Sequence, residues 1–229
     1  MIIYGRNAVN EAIAGPRSVE RVWVSSRGAE ADWPKGLKVE ASDPQALENK
    51  CGSSEHQGVV AEVSEFAYTD PAELLAIPNA LLVVLDEVQD PRNLGAICRV
   101  VEAAGADGVI IPRHRSAEVT PAVCRSSAGA VEYLKIAQVR NVSDFLADAK
   151  DAGFWSHGAA MDGAESWDAV DWTGPVVLVM GSEGKGLRPR VASECDRLVA
   201  LPLVGRIESL NVATATAALL YEAVRQRQA

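Results

Sequence analysis

The stretch LLVVLDEVQDPRNLGAICRVVEAAG, residues 81–105, decides the architecture. Its opening, Leu81-Leu-Val-Val-Leu85, is an unbroken apolar run, the pattern of a strand covered on both faces. From Asn93 onward, Leu94, Ile97, Val101 and Ala104 recur at helical spacing, and Gly105 supplies the stop. A buried strand leading through a polar loop into an amphipathic helix is the repeating unit of a parallel α/β sheet.

The same alternation continues outward. Residues 108–111 (GVII) read as a second buried strand ended by Pro112. Residues 143–152 read as a helix with Phe145, Leu146 and Ala149 on one face. Residues 176–180 (VVLVM) and 198–201 (LVAL) are two more apolar strands, and residues 212–227 close the chain with Val212, Thr216, Leu219, Leu220 and Val224 as a helical stripe. Residues 1–66 form a smaller α/β unit. Val9, Ala12 and Ile13 suit a short helix ended by Gly15-Pro16, and residues 21–25 and 58–63 suit strands. The stretch 67–79, with two prolines and room for one helical turn, is the expected joint before a larger domain at 80–229.

The 229 residues carry a formal net charge of −9. That balance counts against nonspecific nucleic-acid binding, which needs a basic surface, but it leaves room for a local basic cleft. Arginines do cluster: Arg92 and Arg99, then Arg113, Arg115 and Arg125, then Arg188 and Arg190. The four cysteines and three histidines are scattered, without the spacing of a zinc site or a disulfide framework, and read as reduced thiols in a cytoplasmic protein. No run approaches the ~20 apolar residues needed to span a bilayer. The opening MIIYGRNAVNEAIAG lacks the pattern of an export leader, so no membrane or secretory role is expected.

In such sheets ligands bind beyond the carboxyl ends of the strands. Three of those ends carry polar, glycine-containing segments, at residues 86–95, 181–186 and 202–211. The GSEGKG at 181–186 is not a P-loop, because Val179 stands where the first glycine belongs and Gly186 where Ser or Thr belongs. Its glycines allow either a tight turn or close backbone approach to a ligand. Asn93 is either the cap of its helix or a hydrogen-bonding group for a ligand. Arg99 either faces solvent or aims a guanidinium at a phosphate or carboxylate. Glu183 suits a surface turn, Ser209 a helix cap, and Asn211 the first turn of the last helix. Coincident decoration of three strand ends points instead to one composite site.

At these segments the chain resembles the SpoU RNA 2′-O-methyltransferases, the TrmH-like branch of the SPOUT superfamily. DPRNLGAICRVVEAAG (90–105), LVMGSEGKGL (178–187) and LPLVGRIESLNVATATAALLYEA (201–223) resemble its three motifs, in order. YGRNAVNEAI (4–13), HQGVVAEV (56–63) and SSAGAVEYLKIAQVRNV (126–142) are similar to the RlmB-type enzymes, in which a small RNA-binding domain precedes the catalytic one. The resemblance implies a C-terminal trefoil knot holding S-adenosylmethionine against the backbone around Gly181, Leu201 and Leu210. It implies Asn93, Arg99, Glu183, Ser209 and Asn211 as catalytic residues, a homodimer, and a guanosine ribose of 23S ribosomal RNA as substrate. Transfer RNA, or a noncatalytic ribosome-assembly role, are the alternatives. The N-terminal unit is expected to grip RNA, through Arg6 and the 51–58 loop, so that deleting residues 1–66 weakens RNA binding and spares the cofactor.

Overall fold

The computed structural model describes residues 1–26, 33–161, 164–206 and 209–228. The chain opens with β1 (Ile2–Tyr4), α1 (Arg6–Ala14), β2 (Val19–Val24), β3 (Val39–Ala41), α2 (Pro44–Cys51) and β4 (Val59–Val63). These strands make a four-stranded sheet in the order β1-β4-β2-β3, with β4 antiparallel to both of its neighbours. Ile3, Val22, Val24, Val59, Ala61 and Val63 face α1, while Tyr4, Trp23 and Val60 face Leu47 of α2. The residue period of two thus sorts each strand onto two apolar layers. Asp43 caps α2 by accepting from the Ala46 N–H at 3.0 Å.

The second part comprises α3 (Pro71–Leu75), β5 (Leu81–Leu85), α4 (Pro91–Ala103), β6 (Gly108–Pro112), α5 (Pro121–Ser126), β7 (Ile136–Val139), α6 (Val142–Asp151), β8 (Trp155–Ala159), β9 (Glu165–Ser166), β10 (Val176–Met180), α7 (Pro189–Glu194), β11 (Arg197–Ala200) and α8 (Val212–Arg227). Its seven strands lie in the order β7-β6-β5-β10-β8-β11-β9, every neighbouring pair parallel. The unbroken apolar runs are covered on both sides, as expected. Leu81, Val83, Leu85, Val176 and Leu178 join the core that holds α4 and α8, and Leu82, Val84, Val177 and Val179 join the one that holds α6 and α7. The fourth strand begins and ends one residue earlier than its apolar run suggests. In α8, Thr216 is buried and donates its hydroxyl to the Val212 carbonyl at 2.7 Å, so a polar residue sits within the stripe at no hydrogen-bonding cost. Burial pushes the thiols of Cys98 and Cys195 up to about 12 and that of Cys124 up to about 11, so these side chains stay protonated.

The stretch 67–79 lies against the large sheet. Thr69 forms a parallel bridge with Ala137, and Leu74 of α3 is buried where Gly108 has no side chain. The smaller unit, in turn, is docked on the larger one through a shared core that runs from Ile3 and Val9 to Val123 and Val131. Arg17 reaches across to Glu132 with two hydrogen bonds, Nε to Oε2 at 2.8 Å and Nη2 to Oε1 at 2.7 Å. Their side chains are 8% and 0% exposed. Tyr133 donates to Glu11 at 2.6 Å, and a side chain at Gly129 would meet Glu11 Cβ at 2.5 Å. Deleting residues 1–66 would therefore strip apolar cover and leave Glu132 buried without its partner. The truncation reads out stability rather than RNA grip, and point substitutions are needed instead.

One buried histidine makes stability depend on pH. His157 on β8 is 2% exposed, its Nε2 lies 2.9 Å from the Asp171 carbonyl, and its ring meets Trp172 edge-on at 4.7 Å. Burial lowers its pKa against the smaller opposing pull of that carbonyl. The folded state then binds fewer protons than the unfolded one, whose imidazole titrates near ~6.5. This contribution is fully present above that value and is lost as pH falls through the lowered folded pKa. Thermal melts from pH 8 to 5 are expected to show a steeper loss for the wild type than for His157→Asn. Parallel curves would remove His157 as the cause.

Candidate active site

Chain order reverses at β5. From there β6 and β7 step to one side, while β10 and β8 lie on the other. The crevice beyond β5 and β10 is thus the switch point where such sheets bind ligands. Asn93 enters it from α4, Glu183 from the loop after β10, and Asn211 from the start of α8. The three join in a relay. Asn211 Nδ2 donates to Asn93 Oδ1 at 2.9 Å, and Asn93 Nδ2 donates to Glu183 Oε2 at 3.0 Å. The direction is set at one end. Asn211 is the N-cap of α8, and its Oδ1 accepts from the N–H groups of Ala213 at 2.9 Å and Thr214 at 3.4 Å. Its amide nitrogen must then point outward, Asn93 must present oxygen to it, and the amide nitrogen of Asn93 is left for a carboxylate.

These placements decide several open readings. Asn93 is not the cap of its helix. Asp90 is, accepting from the Arg92 N–H at 2.7 Å with Pro91 at the first turn, which frees Asn93 for the relay. Ser209 does not cap α8, since Asn211 does; Ser209 is exposed beside it. Glu183 does sit in a turn, and there its carboxylate accepts from Asn93.

The loop bearing Glu183 is a closed turn. Ser182 and Gly186 exchange backbone hydrogen bonds of 3.0 and 2.9 Å, and Gly184 and Gly186 take φ values of 80° and 66°. A side chain at Gly181 would lie 2.1 Å from the Gly186 carbonyl carbon. The glycines thus serve the turn and its close crossing over the end of β10. Buried Asp86, at the end of β5, anchors the loop's far side by accepting from the Arg188 backbone N–H at 2.9 Å and from its Nε at 2.8 Å. The guanidinium pairs with the same carboxylate through Nη2 at 2.6 Å.

Arg99 stands apart from the relay. It is six residues beyond Asn93, about 9 Å along the helix axis. It shares an exposed stripe with Arg92 and Ala103 and makes no hydrogen bond or ion pair among the described residues. At the third strand end, Leu201 and Leu210 flank a segment that includes Ile207 and Glu208, which lie outside the described residues. Leu203, Val204 and Leu210 are 38%, 99% and 44% exposed, and residues 202–206 make no backbone hydrogen bond among the described residues. Exposed apolar side chains beside backbone groups that have no backbone partner among the described residues suit a ligand with both an apolar face and a polar edge.

The sequence and the fold have counterparts in known proteins. Residues 80–221 match the SpoU rRNA methylase family, and residues 2–69 match the substrate-binding domain of RNA 2′-O ribose methyltransferases. The chain belongs to the SpoU family. It is 39% identical to the 23S rRNA (guanosine-2′-O-)-methyltransferase of Pseudomonas putida over 99% of this chain and 96% of that protein. An uncharacterized tRNA/rRNA methyltransferase of Synechocystis is 34% identical over 99% of this chain, which spans 62% of that relative's length. Among solved structures, the SpoU methyltransferase AviRb of Streptomyces viridochromogenes, in complex with AdoMet, superposes with a TM-score of 0.82 at 27% identity, covering 100% of this chain and 91% of its own.

Two features of this SpoU chain escaped the sequence reading. The Asp86–Arg188 pair had a visible signal, an acid directly after an apolar strand. The contact of α4 with α5 had a subtler one: Gly95 lies where a side chain would meet Ser126 Oγ at 1.9 Å, and that hydroxyl bonds the Ala122 carbonyl at 2.9 Å. This contact holds the first turn of α4, and with it Asn93, at close range to α5.

Proposed function

We propose that the chain transfers a methyl group from S-adenosylmethionine to a ribose 2′-hydroxyl, that of a guanosine in 23S ribosomal RNA. The observation that carries this reading is the Asn211–Asn93–Glu183 relay at the switch-point crevice. The full-length similarity to the Pseudomonas putida enzyme supports the choice of RNA and nucleoside. In this reading residues 1–66 grip RNA, 67–79 join the parts, and 80–229 are catalytic and carry the trefoil knot. In the same reading the protein works as a cytoplasmic homodimer.

The backbone around Gly181, Leu201 and Leu210 would hold the cofactor, which supplies an electrophilic methyl group. The residues of the chain orient the nucleophile and manage its proton. Asn93 and Asn211 have their amides set by the α8 cap and position the ribose and the motif loops. Ser209 adds a hydroxyl at the same rim. Glu183 keeps one oxygen free of the relay as a proton acceptor. The guanidinium of Arg99 would orient a phosphate and stabilise developing alkoxide.

The test supplies labelled S-adenosylmethionine with unmethylated transcripts of 23S rRNA and of transfer RNA, then maps 2′-O-methyl positions. Label at a guanosine of 23S rRNA is the expected result. Label confined to transfer RNA would overturn the substrate assignment, and transfer to neither would overturn the enzymatic reading.

A further inference from the structure

Beside the relay, on the β6 and β7 side, lies a second concavity of 390 Å³ lined by Glu87, His114, Arg115, Arg140, Arg188 and Arg190, among others. Four arginines line it against one carboxylate, in a chain whose net charge is −9. Two of the four are partly neutralised: Glu87 Oε1 lies 3.5 Å from Arg115 and 3.6 Å from Arg188, and Asp86 pairs with Arg188. The other two, Arg140 and Arg190, have no carboxylate partner among the described residues. Nearby Asp144 is turned to Asn141, accepting from its Nδ2 at 3.0 Å. Concentrating unpaired guanidinium groups in a recess of an acidic protein costs self-repulsion, and an anion relieves it. The polar lining and forked donors suit phosphate rather than an apolar ligand.

The pocket is built on the same connections as the relay. Glu87 lies in the connection between β5 and α4 and Asn93 in the first turn of α4, and Arg188 and Arg190 follow Glu183 by five and seven residues. Even a fully extended seven-residue chain spans only about 25 Å, the reach of a few nucleotides. We propose that this pocket seats a backbone phosphate of the RNA substrate, through Arg140 and Arg190, a short distance along the strand from the ribose at the relay. The inference rests on RNA being the substrate. It adds a grip on the catalytic unit itself, apart from the N-terminal domain.

The test uses the full chain and a fluorescent mixed-sequence single-stranded RNA, with binding measured across a series of salt concentrations. Each phosphate neutralised on a single strand contributes about 0.7 to the slope of log K against log salt. The double variant Arg140→Gln/Arg190→Gln is expected to lose about 0.7 of that slope and to bind several-fold more weakly at low salt. The charge-preserving Arg140→Lys/Arg190→Lys is expected to restore the slope. S-adenosylmethionine affinity, followed by calorimetry, stays unchanged in both and reports an intact fold. An unchanged slope in the Gln pair overturns the proposal. So does a slope that the Lys pair fails to restore. Because the readout is binding, it is separate from methyl transfer: a protein that shows the slope change yet transfers no methyl sinks the enzymatic reading and leaves the pocket standing.

Discussion

Replacing Arg17 with alanine is expected to lower the unfolding free energy by about 3–5 kcal/mol, the cost of leaving a buried carboxylate without its partner. Glu132 is fully buried, and Arg17 supplies both of its charged hydrogen bonds at 2.8 and 2.7 Å. Denaturant melts check this through a shift in midpoint at constant slope. The conjugate experiment separates the pair from its desolvation. Arg17→Met together with Glu132→Leu removes both charges at similar volume and is expected to recover most of the loss. A single Arg17→Ala variant within 1 kcal/mol of wild type would show that the contact between the two units carries little of the stability.

Replacing Arg99 with alanine is expected to reduce methyl transfer by about 10²–10³-fold, the magnitude seen when one preorganised charge-stabilising donor is removed from an active site. Cofactor affinity and melting temperature are expected to stay put. Arg99 is exposed and makes no hydrogen bond or ion pair among the described residues, and surface substitutions of that kind shift stability by only about 0.5 kcal/mol. Arg99→Lys keeps the charge but loses the forked geometry and is expected to fall between the two. Near-normal turnover in Arg99→Ala, measured at saturating RNA, would remove this residue from the mechanism.

Apolar runs were legible wherever burial was two-sided. The strands at 81–85, 108–112 and 176–180 stand out because nothing polar interrupts them. β8 was missed because its sequence, WSHGA, hides buried residues behind polar names. Ser156 is satisfied by Asp196 at 2.8 Å and the Nε2 of His157 by the Asp171 carbonyl, partners that local sequence does not announce, while His157 Nδ1 has no partner among the described residues. β1, β3 and β7 were missed because runs of three or four residues carry too little periodicity. At the site, the motif loops were legible as strand ends, and Asn93, Glu183 and Asn211 do converge. The start of α4 was read two residues late, although Asp90-Pro91 is a recognisable cap and first turn. The docking of the two units was not legible, since Arg17 and Glu132 stand 115 residues apart.

That docking bears on how a long polymer would be measured. A tethered module samples a range of separations set by its linker, whereas here the smaller sheet is cemented to the larger one by a common interior. The span between whatever the first unit grasps and the crevice at β5 and β10 is then a constant of the fold. If the first unit grips RNA as proposed, such a protein is expected to act as a caliper, transferring methyl best to a folded target whose recognised feature and reactive sugar lie at one spacing.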